Sequence, residues 1–210
     1  HVLIIYDNSP DHPADKVILL QSEFEGRLFL EKRDKKSGLG TAYVHGFRWA
    51  LERNYEFICE MDADFSHNPS DLEKLYNACH FGDADLSIGS RYVTGVNVVN
   101  WPLSRVLMSY FASVYVRLIT GMKIHDATAG FVCYKRKVLQ EINLDKIKFV
   151  GYAFQIEMKY RTYCKKFQIV EVPIIFTDRT KGQSKMSNSI IIEAVFGVIA
   201  LRLKKLVNTL

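Results

Sequence analysis

The sequence has few cysteines, no internal repeat and no low-complexity tract. Its 4 cysteines lie in separate segments without the spacing of a zinc site, which indicates reduced thiols rather than a disulfide framework. No secretory signal is visible, and no apolar stretch is both long and uncharged enough to predict a membrane-spanning helix. The glycines form no complete phosphate-loop or dinucleotide-binding fingerprint. These absences favour a cytosolic chain that is stabilised by its own packed core.

The composition is that of an ordered α/β domain with a basic surface. Hydrophobic residues make up 48% of the 210 residues, which is sufficient for one domain with a full core. The formal net charge of +5 favours anionic partners such as nucleotides or phospholipid headgroups. Because no basic groove with stacking aromatic residues and no nucleic-acid-binding motif is present, we expect no nucleic-acid partner.

Strand-like and helix-like patterns alternate along the chain. Short apolar runs typical of strands occur at 2–6, 27–31, 57–61, 85–90, 132–134 and 169–176, with helical patterns between most of them. This alternation predicts a mostly parallel sheet covered by helices on both faces. We divide the chain into a domain at 1–187 and an amphipathic C-terminal helix at 188–210. A membrane surface is the preferred location for that helix, while packing on the domain or on another subunit stays open.

The stretch 57–69 predicts a buried strand that ends in two carboxylates. Because alternate side chains of an extended segment point to the same side, Asp62 and Asp64 face one point, with Glu60 behind them. Carboxylates at the carboxyl end of a parallel strand suit Mg²⁺ or Mn²⁺, which bind through one or two carboxylates and substrate phosphates. An Asp-x-Asp triplet alone is more often only a polar strand end. The surrounding sequence must therefore decide whether this one binds a metal ion.

Other polar residues also follow predicted strands or begin helices. Asp7 follows the first strand, where an acidic residue binds the base or ribose of a nucleotide or simply caps an Asx turn. Arg91 follows the fourth strand, and Arg105 lies in the first turn of the helix at 103–119. Most arginines in such a position are solvated surface charges. The basic loop at 177–185 predicts either a diphosphate contact or an ordinary solvated loop.

Several motifs follow one another in a fixed order from Ile5 to about Lys185. They are Asp7-Asn8-Ser9-Pro10-Asp11, Gly38-Leu39-Gly40-Thr41-Ala42-Tyr43, Met61-Asp62-Ala63-Asp64-Phe65-Ser66-His67, Gly89-Ser90-Arg91-Tyr92, Asp126 with Thr128 and Gly130, Gly151-Tyr152 with Phe154-Gln155 and Glu157-Met158, and Asp178-Arg179 with Gly182 and Ser184-Lys185. In this order they resemble the family 2 glycosyltransferases, most closely the dolichol-phosphate (polyprenol-phosphate) mannose synthases. Each motif alone is weak, whereas the ordered set covers most of the chain and is specific.

The resemblance implies the GT-A nucleotide-sugar fold and a role for each matching residue. The nucleotide-sugar ligands it implies are Ile5, Asp7, Asp62, Ala63 and Asp64, with Asp62 and Asp64 also holding Mg²⁺ or Mn²⁺. The phosphate-binding residues it implies are Arg91, Arg105, Arg179 and Lys185. The catalytic residues it implies are Asp64, Arg179, Lys185, Gln155 and Glu157, the last two being near the sugar on the acceptor side.

The sequence departs from the family pattern in two places. The family usually has two consecutive aspartates after its second strand, and Tyr6 stands where the first is expected, which puts one nucleoside contact in doubt. The family's opening strand, with a motif of the type Pro-x-Tyr-Asn-Glu, has no counterpart here. We therefore expect the GT-A domain to lack that N-terminal first strand.

The expected reaction is inverting transfer of mannose from GDP-mannose to a polyprenyl monophosphate. Since a phosphate monoester is already an anion at neutral pH, the weak base candidates Asp126 and Glu157 are consistent with that acceptor. The lipid acceptor implies a peripheral enzyme at the cytoplasmic face of a membrane, with a small membrane subunit as a further partner. The alternatives are a transferase that uses UDP-glucose or another donor, with a lipid-phosphate or glycan acceptor, and a non-catalytic nucleotide- or lipid-binding subunit.

Overall fold

The structure, a computed structural model, describes residues 1–8, 12–151, 153–179 and 188–207, with the side chains of the last range described from 194 onward. The strands are β1 (Val2–Tyr6), β2 (Leu28–Lys32), β3 (Phe57–Glu60), β4 (Leu86–Ser90), β5 (Val98–Val99), β6 (Val132–Lys135), β7 (Ile169–Pro173) and β8 (Phe176–Thr177). The α-helices are α1 (Pro13–Gln21), α2 (Leu39–Glu52), α3 (Asp71–His80), α4 (Leu103–Thr120), α5 (Arg136–Glu141), α6 (Ala153–Cys164) and α7 (Asn188–Leu206), and a 3₁₀ turn spans Leu144–Lys146.

The central sheet has the strand order β3-β6-β4-β7. β4 and β7 are parallel, whereas β6 runs antiparallel between β3 and β4. Two further parallel pairs, β1 with β2 and β5 with β8, lie outside this sheet. Three of the five strand pairings in the described ranges are therefore parallel, which confirms the mostly parallel prediction and adds one antiparallel strand to it.

The apolar pattern of the strands explains where the core lies. Every residue of β4 is buried, as expected for a strand with helices on both faces. β7 is an edge strand and ends at Pro173, which confirms the edge position that its proline predicts. Helix α2 packs on both β1 and β3, and those two strands are separated by a groove rather than joined by hydrogen bonds.

The C-terminal helix α7 packs against α4 and α6. Its Val198 and Leu201 are each 1% exposed and belong to the main hydrophobic core. Packing on the domain, one of the arrangements left open by the sequence, is therefore the one observed. Across the described part of the chain, no helix combines the length and hydropathy that crossing a membrane would need.

Candidate active site

A cavity of about 400 Å³ begins at the carboxyl ends of β3 and β4 and continues between α4 and α7. Its polar end is lined by Asp62, Asp64, Arg91, Arg105, Asp178 and Arg179. Its other end is lined by apolar side chains that include Met108, Ala112, Val116, Ile156, Val195 and Val198. One cavity therefore joins a charged compartment to an apolar one.

The two central carboxylates lie in the turn after β3 and are held by neighbouring donors. The Tyr43 hydroxyl donates to Asp62 Oδ1 at 3.0 Å, and burial raises the pKa of Tyr43, so it remains a protonated donor. Ser66 donates to Asp64 Oδ1 through its backbone N–H at 3.1 Å and its hydroxyl at 2.5 Å. Phe65 between them has a φ of 63°, and this left-handed turn brings Ser66 back to Asp64.

Two arginines lie beside these carboxylates. Arg179 Nη1 is 3.7 Å from Asp64 Oδ2, and Arg105 Nη1 donates to both carboxylate oxygens of Asp178 at 2.9 and 3.0 Å. The Arg105 guanidinium lies over the Trp101 ring, 4.2 Å from its centroid. Arg105 and Arg179 are both partly exposed in the cavity and both lie beside a carboxylate, so their phosphate-binding roles stay predictions.

Arg91 also lines the cavity, but its guanidinium forms an ion pair with the buried carboxylate of Asp126. It donates to Asp126 at 2.7 and 2.6 Å and to the Thr128 hydroxyl at 2.9 Å. Burial raises the pKa of Asp126, but the Arg91 charge and hydrogen bonds outweigh burial and hold that pKa below its usual value. Because Asp126 has no exposed surface, this weak base candidate does not reach the cavity.

Gln155 and Glu157 lie on opposite sides of α6, because a separation of two residues is about 200° around a helix. Glu157 is fully buried, pairs with Arg161 at 2.7 Å, and accepts the backbone N–H groups of Lys148 and Phe149. The expectation that Glu157 lies near the sugar is therefore wrong in this structure. Gln155 is on the cavity side but 2% exposed, below the wall that Gly130 forms.

The residues that the family resemblance assigns to nucleotide-sugar binding divide into two groups. Ile5, Asp62 and Ala63 line a second cavity of about 340 Å³ in the groove between β1 and β3. Asp7 does not line it, since both of its carboxylate oxygens accept from Arg33, at 2.6 and 2.5 Å. Asp7 is thus held in an ion pair with a residue of the following loop rather than presented to a ligand.

Some of the implied residues lie outside the described ranges. They are Lys185, together with the motif residues Ser9, Pro10, Asp11, Tyr152, Gly182 and Ser184. The roles of Lys185 in phosphate binding and catalysis therefore stay predictions.

The described residues contain no group of three or more histidine, cysteine or acidic side chains arranged to hold a metal ion. Asp62 and Asp64 nevertheless provide hard carboxylate oxygens at the polar end of the cavity. Two such groups fit Mg²⁺ or Mn²⁺ if water and substrate phosphates provide the remaining ligands.

Among the residues of the cavity wall that the sequence did not single out as site residues are His67 and Trp101. His67 is 5% exposed, and burial lowers its pKa, so its neutral form is favoured. Its position directly after Ser66 in the Asp-x-Asp motif is the signal that marks it. Trp101 precedes α4 after a loop without a regular pattern, and no sequence signal pairs it with Arg105.

Comparisons with known proteins agree with this arrangement. The model of "Glycosyl transferase family 2" matches residues 1–143. The chain is 46% identical over 201 residues to the polyprenol monophosphomannose synthase of Mycolicibacterium smegmatis, covering 94% of this chain and 74% of that protein. It is 45% identical over 197 residues to the undecaprenyl-phosphate mannosyltransferase of Micrococcus luteus, covering 94% of this chain and 80% of the relative.

The fold is also similar to that of solved structures. One is glucosyl-3-phosphoglycerate synthase from Mycobacterium tuberculosis in complex with Mn²⁺, UDP-glucose and phosphoglyceric acid. The TM-score is 0.64 at 14% sequence identity, with 97% of this chain and 67% of that chain covered. At this identity the likeness shows the fold alone.

Proposed function

Because the chain belongs to glycosyl transferase family 2, we propose that it transfers mannose from GDP-mannose to a polyprenyl monophosphate. The names of the two relatives, a polyprenol monophosphomannose synthase and an undecaprenyl-phosphate mannosyltransferase, support the sugar and the acceptor class. The donor nucleotide is the part of the proposal that rests on the family resemblance alone.

The cavity that joins a charged compartment to an apolar one is the observation that supports this function most directly. A polyprenyl phosphate has an anionic head and a hydrocarbon chain, and the cavity offers arginines at one end and aliphatic side chains of α4 and α7 at the other. A hydrophilic glycan acceptor would gain nothing from the apolar end. The shape therefore favours the lipid-phosphate acceptor over the glycan alternative.

In this proposal Arg105, supported by Trp101, binds the acceptor phosphate. The acceptor oxygen is already anionic at neutral pH, so its attack on the anomeric carbon needs no general base. That agrees with Asp126 and Glu157, which are both buried in ion pairs away from the cavity. The new carbon–oxygen bond forms opposite the breaking bond to the diphosphate oxygen, so the configuration of the anomeric carbon is inverted.

The leaving diphosphate acquires negative charge as its bond to the sugar breaks. Asp62 and Asp64 would hold Mg²⁺ or Mn²⁺, and a bound divalent ion stabilises that charge as a Lewis acid. Arg179, 3.7 Å from Asp64, lies where it adds a fixed positive charge to the same compartment. Ser66 and Tyr43 hold the two carboxylates in place, which limits their reorganisation during the reaction.

The exposed apolar face of α4 and α7 supports peripheral attachment to a membrane. Its large side chains are Leu103, Leu107, Phe111, Leu118, Phe196, Leu203 and Leu206, all exposed. Arg202, which is exposed and lies one turn before Leu206 on α7, adds positive charge that anionic headgroups attract. We propose that this face lies on the cytoplasmic leaflet, so that the polyprenyl chain reaches the cavity between the two helices from the bilayer.

The experiment is transfer of radiolabelled mannose from GDP-mannose to a short polyprenyl phosphate, with label in the organic phase as the readout. UDP-glucose with the same acceptor, and GDP-mannose with a soluble mannoside, are run in parallel with and without Mn²⁺. We expect metal-dependent labelling of the lipid from GDP-mannose. Labelling only from UDP-glucose, or only of the mannoside, would contradict the proposed donor or acceptor.

A further inference from the structure

Three of the four cysteines lie together on one face of the central sheet, and none of them lines the cavity of about 400 Å³. Cys59 is on β3, Cys133 is on β6 and Cys79 is on α3. Hydrogen bonds with the Cys59 and Cys79 thiols, together with burial, raise the pKa of the Cys133 thiol. All three are free thiols, and in the described residues they are not arranged to hold a metal ion. The chemistry that remains for this cluster is thiol–disulfide exchange.

The register of β3 and β6 places Cys59 directly opposite Cys133. One residue beyond the paired segment, the Arg136 N–H donates to the Glu56 carbonyl at 2.8 Å, so these two residues form a hydrogen-bonded pair. Hydrogen-bonded and non-hydrogen-bonded pairs alternate along antiparallel strands. Cys59 and Cys133 lie three positions further along the ladder and are therefore a non-hydrogen-bonded pair, the kind in which opposite side chains are closer.

A pair of this kind has the spacing that a disulfide requires. Opposite Cα atoms of a non-hydrogen-bonded pair are roughly 4.5 Å apart, and disulfides usually join Cα atoms about 4.4–6.8 Å apart. Because directly opposite residues point to the same face of a sheet, the two thiols also lie on one side. Cys59 and Cys133 can therefore be joined with little movement of the backbone.

The competing arrangement is a disulfide between Cys79 and Cys133. Cys79 Sγ donates to Ser87 Oγ at 3.5 Å and to the Cys133 carbonyl at 3.6 Å. Hydrogen bonds with Cys133 and Ser87 outweigh burial and lower the pKa of Cys79 to about 7. An oxidant must first reach a sulfur, however, and Cys79 and Cys133 have no exposed surface, whereas Cys59 is exposed. Oxidation therefore begins at Cys59, and Cys133 is the thiol opposite it.

We propose that Cys59 and Cys133 form a reversible modification site that is oxidised to a disulfide by hydroperoxides. The Cys59 sulfur attacks one oxygen of hydrogen peroxide, the O–O bond breaks, and Cys59 sulfenic acid and water form. The Cys133 sulfur then attacks the Cys59 sulfur, the S–O bond breaks, and the hydroxide leaves with the Cys133 proton as water. Two thiols and one hydrogen peroxide thus give one disulfide and two waters, and two electrons pass from sulfur to oxygen.

The disulfide keeps the exposed thiol from irreversible oxidation. A sulfenic acid without a neighbouring thiol is oxidised further to sulfinic and sulfonic acids, whereas a dithiol reductant restores both thiols of a disulfide. In reducing compartments, disulfides of this transient kind are the usual ones. A sulfinate on Cys59 would place a new negative charge shortly before Asp62 and Asp64 in the chain, and the disulfide adds no charge there.

Thiol mapping after treatment with a small molar excess of hydrogen peroxide is the first test. We expect two thiols to become resistant to alkylation, non-reducing digests to contain Cys59 linked to Cys133, and dithiothreitol to restore both thiols. Cys164→Ser, at the partly exposed cysteine of α6, is the matched control and should form the same disulfide at the wild-type rate. No internal disulfide, or one that joins Cys79 to Cys133 instead, would overturn the proposal.

Cys59→Ser tests whether the exposed thiol is where oxidation begins. Because the substitution is at an exposed position, we expect the variant to keep the wild-type melting temperature. Its two buried thiols, Cys79 and Cys133, should stay reduced under conditions that oxidise the wild type. A disulfide between these two that forms at the wild-type rate would show that Cys59 is not needed and would refute the proposal.

Cys133→Ala tests the role of the buried partner. We expect sulfinic acid to accumulate on Cys59 at least about tenfold faster than in the wild type, measured by mass spectrometry. With glutathione disulfide as a second oxidant, the wild type should release glutathione and form the internal disulfide, whereas Cys133→Ala should retain glutathione on Cys59. Equal accumulation of sulfinic acid in both proteins would contradict the proposal.

The Cys133 substitution is in the core, so thermal unfolding must first establish that this variant folds. If it does not fold, the thiol maps of the wild type and of Cys59→Ser decide the question. None of these measurements requires mannose transfer, so the proposed function and the redox site can fail independently of each other.

Discussion

At the scale of single residues, Asp64 uses its two carboxylate oxygens differently. Oδ1 accepts from Ser66, which holds the side chain in one orientation, and Oδ2 lies 3.7 Å from Arg179 at the cavity wall. Oδ1 therefore stabilises the turn after β3, and Oδ2 faces the charged compartment of the cavity. This division allows the role of Asp64 in the reaction to be separated from its role in the turn.

We expect Asp64→Asn to abolish metal-dependent transfer while the fold is retained. The amide oxygen can still accept from Ser66, but the negative charge that holds a divalent ion is lost, and this corresponds to a decrease in kcat of roughly a thousandfold or more. Transfer assays over a series of Mn²⁺ concentrations and thermal unfolding measure the two effects. Asp83→Asn, at an exposed position before β4, is the control and should behave as wild type. Normal turnover with normal metal dependence in Asp64→Asn would contradict the assignment.

We expect Glu157 to contribute to the stability of the fold rather than to the reaction, because it is buried in an ion pair with Arg161. Glu157→Gln leaves the buried Arg161 without its counter-charge, which we expect to lower the free energy of unfolding by about 3–5 kcal/mol. Chemical denaturation measures this loss. The KM for GDP-mannose of the folded variant should stay unchanged, and an increase of tenfold or more would instead indicate contact with the substrate.

The Arg91–Asp126 ion pair makes the stability of the folded protein depend on pH. The pKa of Asp126 in the folded protein lies below its ordinary value of 3.8, because the Arg91 charge and hydrogen bonds outweigh the opposing effect of burial. A depressed pKa contributes stability above the unfolded value, and that contribution decreases as the pH falls through the folded value. We expect Asp126→Asn to be less stable than wild type at pH 7, with a difference that shrinks below about pH 3.8. A constant difference between pH 7 and pH 3 would argue against the pair as its source.

At the scale of elements, the sequence was most informative about whether a segment forms a helix or a strand. It was least informative about the direction of each strand and about the side to which each residue points. The apolar runs predicted the strands of the central sheet, but nothing in the four residues of β6 shows that they run antiparallel between β3 and β4. The Asp-x-Asp motif predicted that Asp62 and Asp64 lie close together, and both line the cavity because they are also close in the chain. Asp7 and Arg33 are 26 residues apart, so their pairing could not be predicted from local sequence. Gln155 and Glu157 were treated as one segment, although α6 separates them onto two sides.

The helices α4 and α7 provide a test of membrane attachment. We expect Phe111→Glu and Phe196→Glu to weaken binding to vesicles that contain anionic phospholipid, because each places a charge on the exposed apolar face. Vesicle sedimentation at two salt concentrations measures binding. Phe81→Glu, at an exposed phenylalanine that directly follows α3, is the matched control and should bind as wild type. Equal binding of all the variants would show that this face does not contact lipid.

At the scale of the whole molecule, ligand binding should be visible as stabilisation. Asp62 and Asp64 follow β3 and Arg179 follows β8, so in the proposed function a bound nucleotide sugar connects parts of the fold that are distant in the chain. A ligand at a hundred times its dissociation constant adds about 2.7 kcal/mol to the free energy of unfolding. We expect GDP with Mn²⁺ to raise the melting temperature, and a chelator or Asp64→Asn to abolish the metal-dependent part of the increase. The same increase with chelator present would show that the metal is not part of the nucleotide site.

The cavity between α4 and α7 also sets a limit on how much of a long lipid the enzyme can recognise. Its volume of about 400 Å³ is in the range of a small-molecule site, so in the proposed function we expect it to hold the phosphate and only the first part of a polyprenyl chain. We expect the remaining isoprene units to extend beyond this cavity. The enzyme should therefore be tolerant of acceptor length: its specificity constant should rise over the first few isoprene units and then reach a plateau, which makes the same catalyst usable with polyprenols of different sizes.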